Sequence, residues 1–300
     1  MRSMAPVPRS EPAEPVPDLQ PFLAAYDEVL ASHWPAGTTR TRVRTPFGTT
    51  HINTYGPEDP AAPPLVLLPG GGATSTVWHA QAARLGRTHR VHAVDLIGDP
   101  GRSVAGERPI RTVADLTAWL DSVLGHLGTG PVALGGHSYG AWIALHYALH
   151  APGRVRKLVL VDPTGCFAGF RPAYLLHALP MLLRPSAERT RAFLAWETEG
   201  AALAPAWLRL RDAAARFPAA RPVTGPRPAR EDLRALDVPT LLLLAGRGRA
   251  HDPARVARTA RRLLPHAETT TLAGATHHTL PLHDPEAAEL TTEMEQFLAS

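Results

Sequence analysis

Gly136, Ser138 and Gly140 form a G-x-S-x-G pattern whose chemistry depends on where it falls. It follows the apolar run 131–134, short enough for a buried strand, and leads into 142–149, whose length and apolar spacing suit a buried helix. A serine at such a strand-to-helix corner is a nucleophile elbow. Glycines let neighbouring backbone pass close to the turn. The hydroxyl then stands clear of the sheet, and the helix N-terminus beneath it favours negative charge. A glycine-rich turn that merely closes a strand shares this short pattern, so the rest of the chain has to decide.

Acyl transfer by a serine also needs a histidine base, an acid to orient it, and donors for the oxyanion. For donors, the loop Pro69-Gly70-Gly71-Gly72-Ala73 follows another apolar run, 64–68. The N–H groups of Gly71 and Tyr139 are the pair expected to converge on a developing oxyanion. An anion nest for a phosphate would use similar glycines, but the Gly-Lys-Ser/Thr of a full phosphate loop is absent. For the base, Gly274-Ala275-Thr276-His277-His278 lies between the last expected strand, 267–272, and the last expected helix, 285–298. The chain has 15 histidines, so a plain surface residue is the competing reading. No metal-ligand partners stand at the usual spacings from this pair, and the order serine then histidine fits hydrolases built on this elbow.

The elements that would position these groups alternate. Residues 21–30 suit a short helix, and 40–45 with 49–55 suit a hairpin across Pro46-Phe47-Gly48. Strands are expected at 64–68, 90–95, 131–134, 157–161, 240–244 and 267–272, with helices at 77–85, 112–127, 142–149, 254–264 and 285–298. Short, doubly buried strands alternating with helices mean a mostly parallel sheet covered on both faces. Helical stretches at 174–183, 187–196 and 202–217 and a proline-rich connector at 218–228 interrupt the alternation. The expected organisation is therefore a disordered, proline-rich segment at 1–18, an α/β core over 19–162 and 237–300, and an all-helical insertion over 163–236.

Composition narrows the class of partner. The 300 residues are 44% hydrophobic and 19% charged, ordinary for a soluble globular chain with a sizeable core. The net charge of +4 comes almost entirely from arginines scattered among Asp and Glu, with Lys157 the sole lysine, and no run marks a nucleic-acid patch. Cys166 stands alone, so no intramolecular disulfide is possible. The first residues lack the apolar core of a signal peptide, and no apolar run approaches the ~20 residues of a membrane span. These features give the expectation of a cytoplasmic protein, monomeric or homodimeric, acting on a small molecule without nucleic acid, membrane or cofactor.

Taken together, the Pro-Gly-Gly-Gly loop with Trp78 downstream, Asp95-Leu96-Ile97-Gly98 through Arg102-Ser103, the elbow Gly136-His137-Ser138-Tyr139-Gly140, and the histidine loop followed by Asp284-Pro285 resemble an α/β-hydrolase fold over about residues 40–298. The resemblance implies an eight-stranded sheet with helices on both faces and the 163–236 insertion lying over the site as a cap. Pro69 stands where the family usually has histidine. Counting forward from Gly274 favours His277 as the base; counting back from Pro285 favours His278, which is the residue chosen, with His277 as the alternative. The family's usual place for the acid reads Ala245-Gly246-Arg247-Gly248-Arg249-Ala250-His251-Asp252-Pro253, with no acid at the expected step. Asp252 followed by Pro253 also reads as a helix N-cap. Asp162, after the strand 157–161, stands where some family members carry the acid, although Asp162-Pro163-Thr164-Gly165 also reads as a turn. Asp162 is preferred, with Asp252 as the substitute. Asp95 reads as a structural pin for its loop, and Cys166 as a packed thiol.

The resemblance implies a serine hydrolase cleaving an ester or thioester through an acyl-enzyme. Phe167, Phe170, Tyr174, Leu175, Leu179 and Met181 are the candidates for an apolar substrate pocket, each equally open to plain packing. Serine at the elbow argues against a dehalogenase or an epoxide hydrolase, which would place an aspartate there. The competing class is a ligand-binding protein on the same fold, kept open by the acid missing from its usual place.

Overall fold

The computed structural model describes residues 18–58, 62–128 and 130–300. The proline-rich lead-in expected at 1–18 lies, up to residue 17, outside the described residues. After α1 (Gln20–His33) come a hairpin of β1 (Thr39–Thr45) and β2 (Gly48–Tyr55), then β3 (Leu65–Leu68), α2 (His79–Leu85) and β4 (Val91–Val94). A two-residue strand, β5 (Val104–Ala105), precedes α3 (Val113–His126), β6 (Val132–His137), α4 (Tyr139–His150) and β7 (Val155–Val161). Four helices follow, α5 (Pro172–Leu183), α6 (Ala187–Glu197), α7 (Pro205–Ala214) and α8 (Arg230–Ala235). The core resumes with β8 (Thr240–Ala245), α9 (Pro253–Leu263), β9 (Ala267–Leu272) and α10 (Asp284–Ala299).

Eight strands run in the order β1-β2-β4-β3-β6-β7-β8-β9, and β5 pairs with β2 off this path. β1, β2 and β4 meet antiparallel, and every pairing from β4 through β9 is parallel. Strand order reverses between β3 and β6: β4 lies on one side of β3, β6 on the other. Such a switch point opens a crevice at the carboxyl ends of the two strands, where α/β sheets bind ligands. The glycine loop leaves β3 there, and Ser138 leaves β6 there.

Successive side chains of a strand face opposite sides, and the two cores follow that rule. Val66, Leu68, Leu134, Leu158, Leu160, Leu242 and Leu244 pack with Trp119 and Val123 of α3, Ile143 of α4 and Val256 of α9. Leu65, Leu67, Ala133, Val159, Leu241 and Leu243 pack instead with Tyr26 of α1, Leu85 of α2 and Met294 of α10. Near-continuous apolar strands are what a sheet buried on both faces requires. Two helix starts show a local cause. α3 begins at a capping box, with Thr112 Oγ1 accepting from the Asp115 N–H at 3.1 Å and Asp115 Oδ2 accepting from the Thr112 N–H at 3.0 Å. α7 begins at Pro205 rather than at 202, because proline is pre-set for the first helical position. β5 and α8 were not anticipated; both are too short to carry a period.

Asp95 is fully buried and ties the loop after β4 to three partners. Oδ1 accepts from the Ser75 N–H at 2.7 Å, while Oδ2 accepts from the Tyr26 hydroxyl at 2.9 Å and the Arg102 N–H at 2.8 Å. Cys166 is buried in the core, which pushes its thiol pKa up. Among the described residues no helix is long and apolar enough to cross a membrane.

Candidate active site

Ser138 sits between β6 and α4 at φ 54° and ψ −113°, a conformation unfavourable for a residue with a side chain. Its surroundings impose it. A Cβ on Gly136 would lie 2.3 Å from the Gly140 carbonyl carbon, and one on Gly140 would lie 2.4 Å from the carbonyl oxygens of Leu68 and Pro69. Only glycine fits at either place. The Ser138 N–H is held by the Val161 carbonyl at 2.9 Å.

The Ser138 hydroxyl donates to His277 Nε2 at 2.9 Å, and His277 Nδ1–H donates to Asp162 Oδ2 at 2.5 Å. His277, not His278, is therefore the histidine on the serine, which corrects the first choice between them. The turn that carries the pair explains why. The Thr276 N–H bonds to Thr279 Oγ1 and the Leu280 N–H to the Thr276 carbonyl, and His137 Nε2–H donates to the His277 carbonyl at 2.9 Å. His277 is turned down to the elbow and His278 up to the helical insertion. There His278 Nδ1–H donates to Glu197 Oε2 at 2.9 Å.

Asp162 is fully buried at the end of β7, at φ 42°. Its Oδ1 accepts from the Ala245 N–H at 3.1 Å and from His251 Nε2–H at 3.0 Å. Asp252 instead caps α9, accepting from the Arg255 N–H at 3.1 Å, so it does not reach the histidine. In the loop after β8, where an acid was sought, His251 turns inward and supports the acid from behind. Burial works against ionisation of Asp162, but His251 and His277 hold its carboxyl well below the usual range. Burial likewise opposes a charged His277, yet the hydrogen bond and charge of Asp162 prevail and raise its pKa. An imidazole that gains basicity from a buried carboxylate is suited to take a proton from serine.

On the other side of Ser138, the Ala73 N–H bonds to the Gly70 carbonyl at 3.1 Å, closing a turn with Gly72 at φ 69°. That hydrogen bond leaves the Gly71 N–H unused by the turn, and a Cβ on Gly71 would lie 3.6 Å from Tyr139 Cβ. The Tyr139 N–H opens α4, at the helix end whose N–H groups lack intrahelical acceptors. Gly71, Ser138 and Tyr139 line one cavity.

A cavity of about 620 Å³ opens above these groups. Phe170, Tyr174, Leu175 and Met181 line it, with Trp142, Phe193, Trp207 and Val223 among the residues not anticipated. Two pocket candidates are corrected. Phe167 is 3% exposed and packs in the core, and Leu179, exposed on α5, is not among the residues lining the cavity. Glu197, at the end of α6, was also missed. It is fully buried and accepts from the N–H groups of His277 and His278 at 2.9 and 3.1 Å and from Thr276 Oγ1 at 3.2 Å. Its only sequence signal was a charged residue in a helix whose buried face could not be read. Among the described residues no cluster of His, Cys, Asp or Glu is placed to hold a metal ion.

A family model described as the alpha/beta hydrolase family matches residues 65–289. Carboxylesterase YbfK of Bacillus subtilis is 35% identical over 177 residues, which cover 59% of this chain and 57% of that relative. The carboxylesterase nap of the same organism is 30% identical over 264 residues, 85% of this chain and 86% of that one. Among solved structures, carboxylesterase CesB (YbfK) superposes with a TM-score of 0.84 at 28% identity, covering 92% of this chain and 96% of that one. Naproxen esterase from Bacillus subtilis superposes with a TM-score of 0.83 at 29% identity, with the same coverage.

Proposed function

The chain belongs to the alpha/beta hydrolase family, and from that membership we propose that it hydrolyses carboxylic esters through an acyl-serine intermediate. The observation that carries the proposal is the unbroken contact from Asp162 through His277 to Ser138. Ser138 Oγ attacks the ester carbonyl while His277 Nε2 takes its proton, and the imidazolium is balanced by Asp162. The N–H groups of Gly71 and Tyr139 hold the oxyanion. The tetrahedral intermediate collapses as His277 returns the proton to the leaving alcohol. Water, deprotonated by the same histidine, then attacks the acyl-serine and releases the acid.

The helices α5 to α8 act as a cap, and the apolar lining of the cavity favours a hydrophobic group next to the scissile bond. That the relatives are carboxylesterases supports the ester class. A purely ligand-binding role loses its main support, since Asp162 occupies the acid's place against His277. The test is release of p-nitrophenol from the acetate and butyrate esters by the wild type and Ser138→Ala, with fluorophosphonate labelling in parallel. Turnover and labelling in the wild type alone support the reading. Equal rates and no labelling overturn it.

A further inference from the structure

Within the largely apolar cavity, one patch of wall carries polar groups left without partners. Arg211 reaches it from α7, and its Nη1 donates to the Gly72 carbonyl beside the proposed oxyanion donors. A Cβ on Gly72 would lie 3.3 Å from Nη1 and 3.9 Å from Nη2, so the guanidinium lies against that loop. Nη2 has no hydrogen-bond partner among the described residues, and Nε is buried without an acceptor. No carboxylate reaches salt-bridge distance of this arginine among the described residues. Asp212 is taken by Arg191, while Asp99, which lines the same cavity, accepts from the Gly72 N–H through Oδ2 at 2.8 Å and acts on Arg211 only through space. Arg211 is half-buried, and a guanidinium with its Nε buried is ordinarily paired.

Two further polar ends face the same space. Tyr174 lines the cavity, where the charges of Glu197 and Asp162 act on it ahead of that of Arg211, and its hydroxyl has no hydrogen-bond partner among the described residues. His278 lines it too, with Glu197 the first charge acting on it and Arg211 the last. With Nδ1 given to Glu197, its Nε2 is left to the cavity. A few convergent polar groups in an apolar pocket are what fixes the identity of a ligand. The planar, permanently charged guanidinium matches the paired oxygens of a carboxylate, as it does those of a phosphate.

We propose that Arg211 Nη2 and the Tyr174 hydroxyl form an anion subsite, so that the preferred substrates are esters bearing a second, free carboxylate, such as half-esters of dicarboxylic acids. The proposal rests on the esterase reading for its catalytic consequence but not for its binding. The apolar wall takes the methylene chain, Ser138 meets the ester, and the free carboxylate reaches the arginine.

The experiment compares kcat/KM for monomethyl glutarate and its neutral counterpart methyl valerate, followed by methanol release, in wild type, Arg211→Gln, Arg211→Lys and Tyr174→Phe. Wild type should prefer the half-ester. Arg211→Gln should lower that preference by about tenfold or more, the scale of a hydrogen bond to a charged group, with Arg211→Lys retaining part of it. Parallel losses on both esters would mean that Arg211 only holds the Gly72 loop, and absence of preference in wild type would sink the subsite. Calorimetric binding of monomethyl glutarate to Ser138→Ala, with and without Arg211→Gln, separates this from the esterase reading. Binding that depends on Arg211 supports the subsite even if no ester is turned over, and no binding overturns it even if esters are cleaved.

Discussion

The carboxylate of Glu197, the last residue of α6, accepts the backbone N–H of His277 at 2.9 Å. A buried acid from the helical insertion therefore holds the loop that places a histidine on Ser138. Removing it leaves the His277 and His278 N–H groups and the His278 ring without their acceptor in a buried setting, at roughly 1–3 kcal/mol for each unsatisfied group. Glu197→Ala should lose stability and at least tenfold in kcat, while Glu197→Gln, which keeps an acceptor oxygen, should lose less of both. Urea unfolding and ester turnover on the same preparations check this.

The neighbouring histidines should separate sharply. His277→Ala removes the group on the Ser138 hydroxyl, and kcat should fall by about 10⁴–10⁶, the range seen when a member of such a triad is lost. His278→Ala leaves that contact in place and should keep measurable burst kinetics with a p-nitrophenyl ester. If His278→Ala were the dead variant and His277→Ala active, the proposed roles would be reversed.

The two aspartates should separate in the same way. Asp162→Asn should cost about 10⁴ in kcat, through the wrong tautomer of the histidine. Asp252→Asn keeps a capping side chain at the start of α9 and should leave both turnover and thermal midpoint close to wild type.

Acidity gives a signed test. As the proposed base, His277 could take a proton only when neutral, and against the opposing effect of burial Asp162 raises its pKa above the ordinary 6.5. The acidic limb of kcat/KM should therefore lie above pH 6.5, and in Asp162→Asn whatever activity is left should have its limb shifted to lower pH. Stability should move with Glu197. Burial raises its pKa, but the charge and hydrogen bond of His278 outweigh that and bring it down to about 2 from the ordinary 4.5. The unfolded chain thus binds the proton first as pH falls, so the stabilisation is complete above about pH 5 and is lost towards pH 2. Glu197→Gln should flatten that part of the acid unfolding curve.

The elbow itself should tolerate no side chain. Gly140→Ala would set a Cβ 2.4 Å from two carbonyl oxygens at the end of β3, and neither can move without breaking the strand. The expected loss is several kcal/mol, at the upper end for a single substitution. Chemical denaturation checks it, and a near-neutral result would mean that the β3–α4 contact is looser than described.

Much of the design was readable in the chain. Apolar runs of strand length alternating with helical periods gave the mostly parallel sheet, because the central strands β3, β4, β6 and β8 are buried along their whole length. Gly136-His137-Ser138-Tyr139-Gly140 marked the corner, because only glycine lets α4 pass so close to β3. Asp252 could be doubted in advance, since an aspartate before a proline explains itself as a cap. What local pattern cannot encode is which neighbour a side chain meets across the fold. His277 and His278 are adjacent and chemically identical, and the turn closed by Thr276 and Thr279 decides which one faces Ser138. Asp162 meets His277 only because β7 ends beside the loop after β9. Glu197 and Arg211 are ordinary helix residues in the sequence. They meet the histidine loop and the glycine loop only in the folded chain, where Glu197 accepts from the His277 N–H and Arg211 donates to the Gly72 carbonyl.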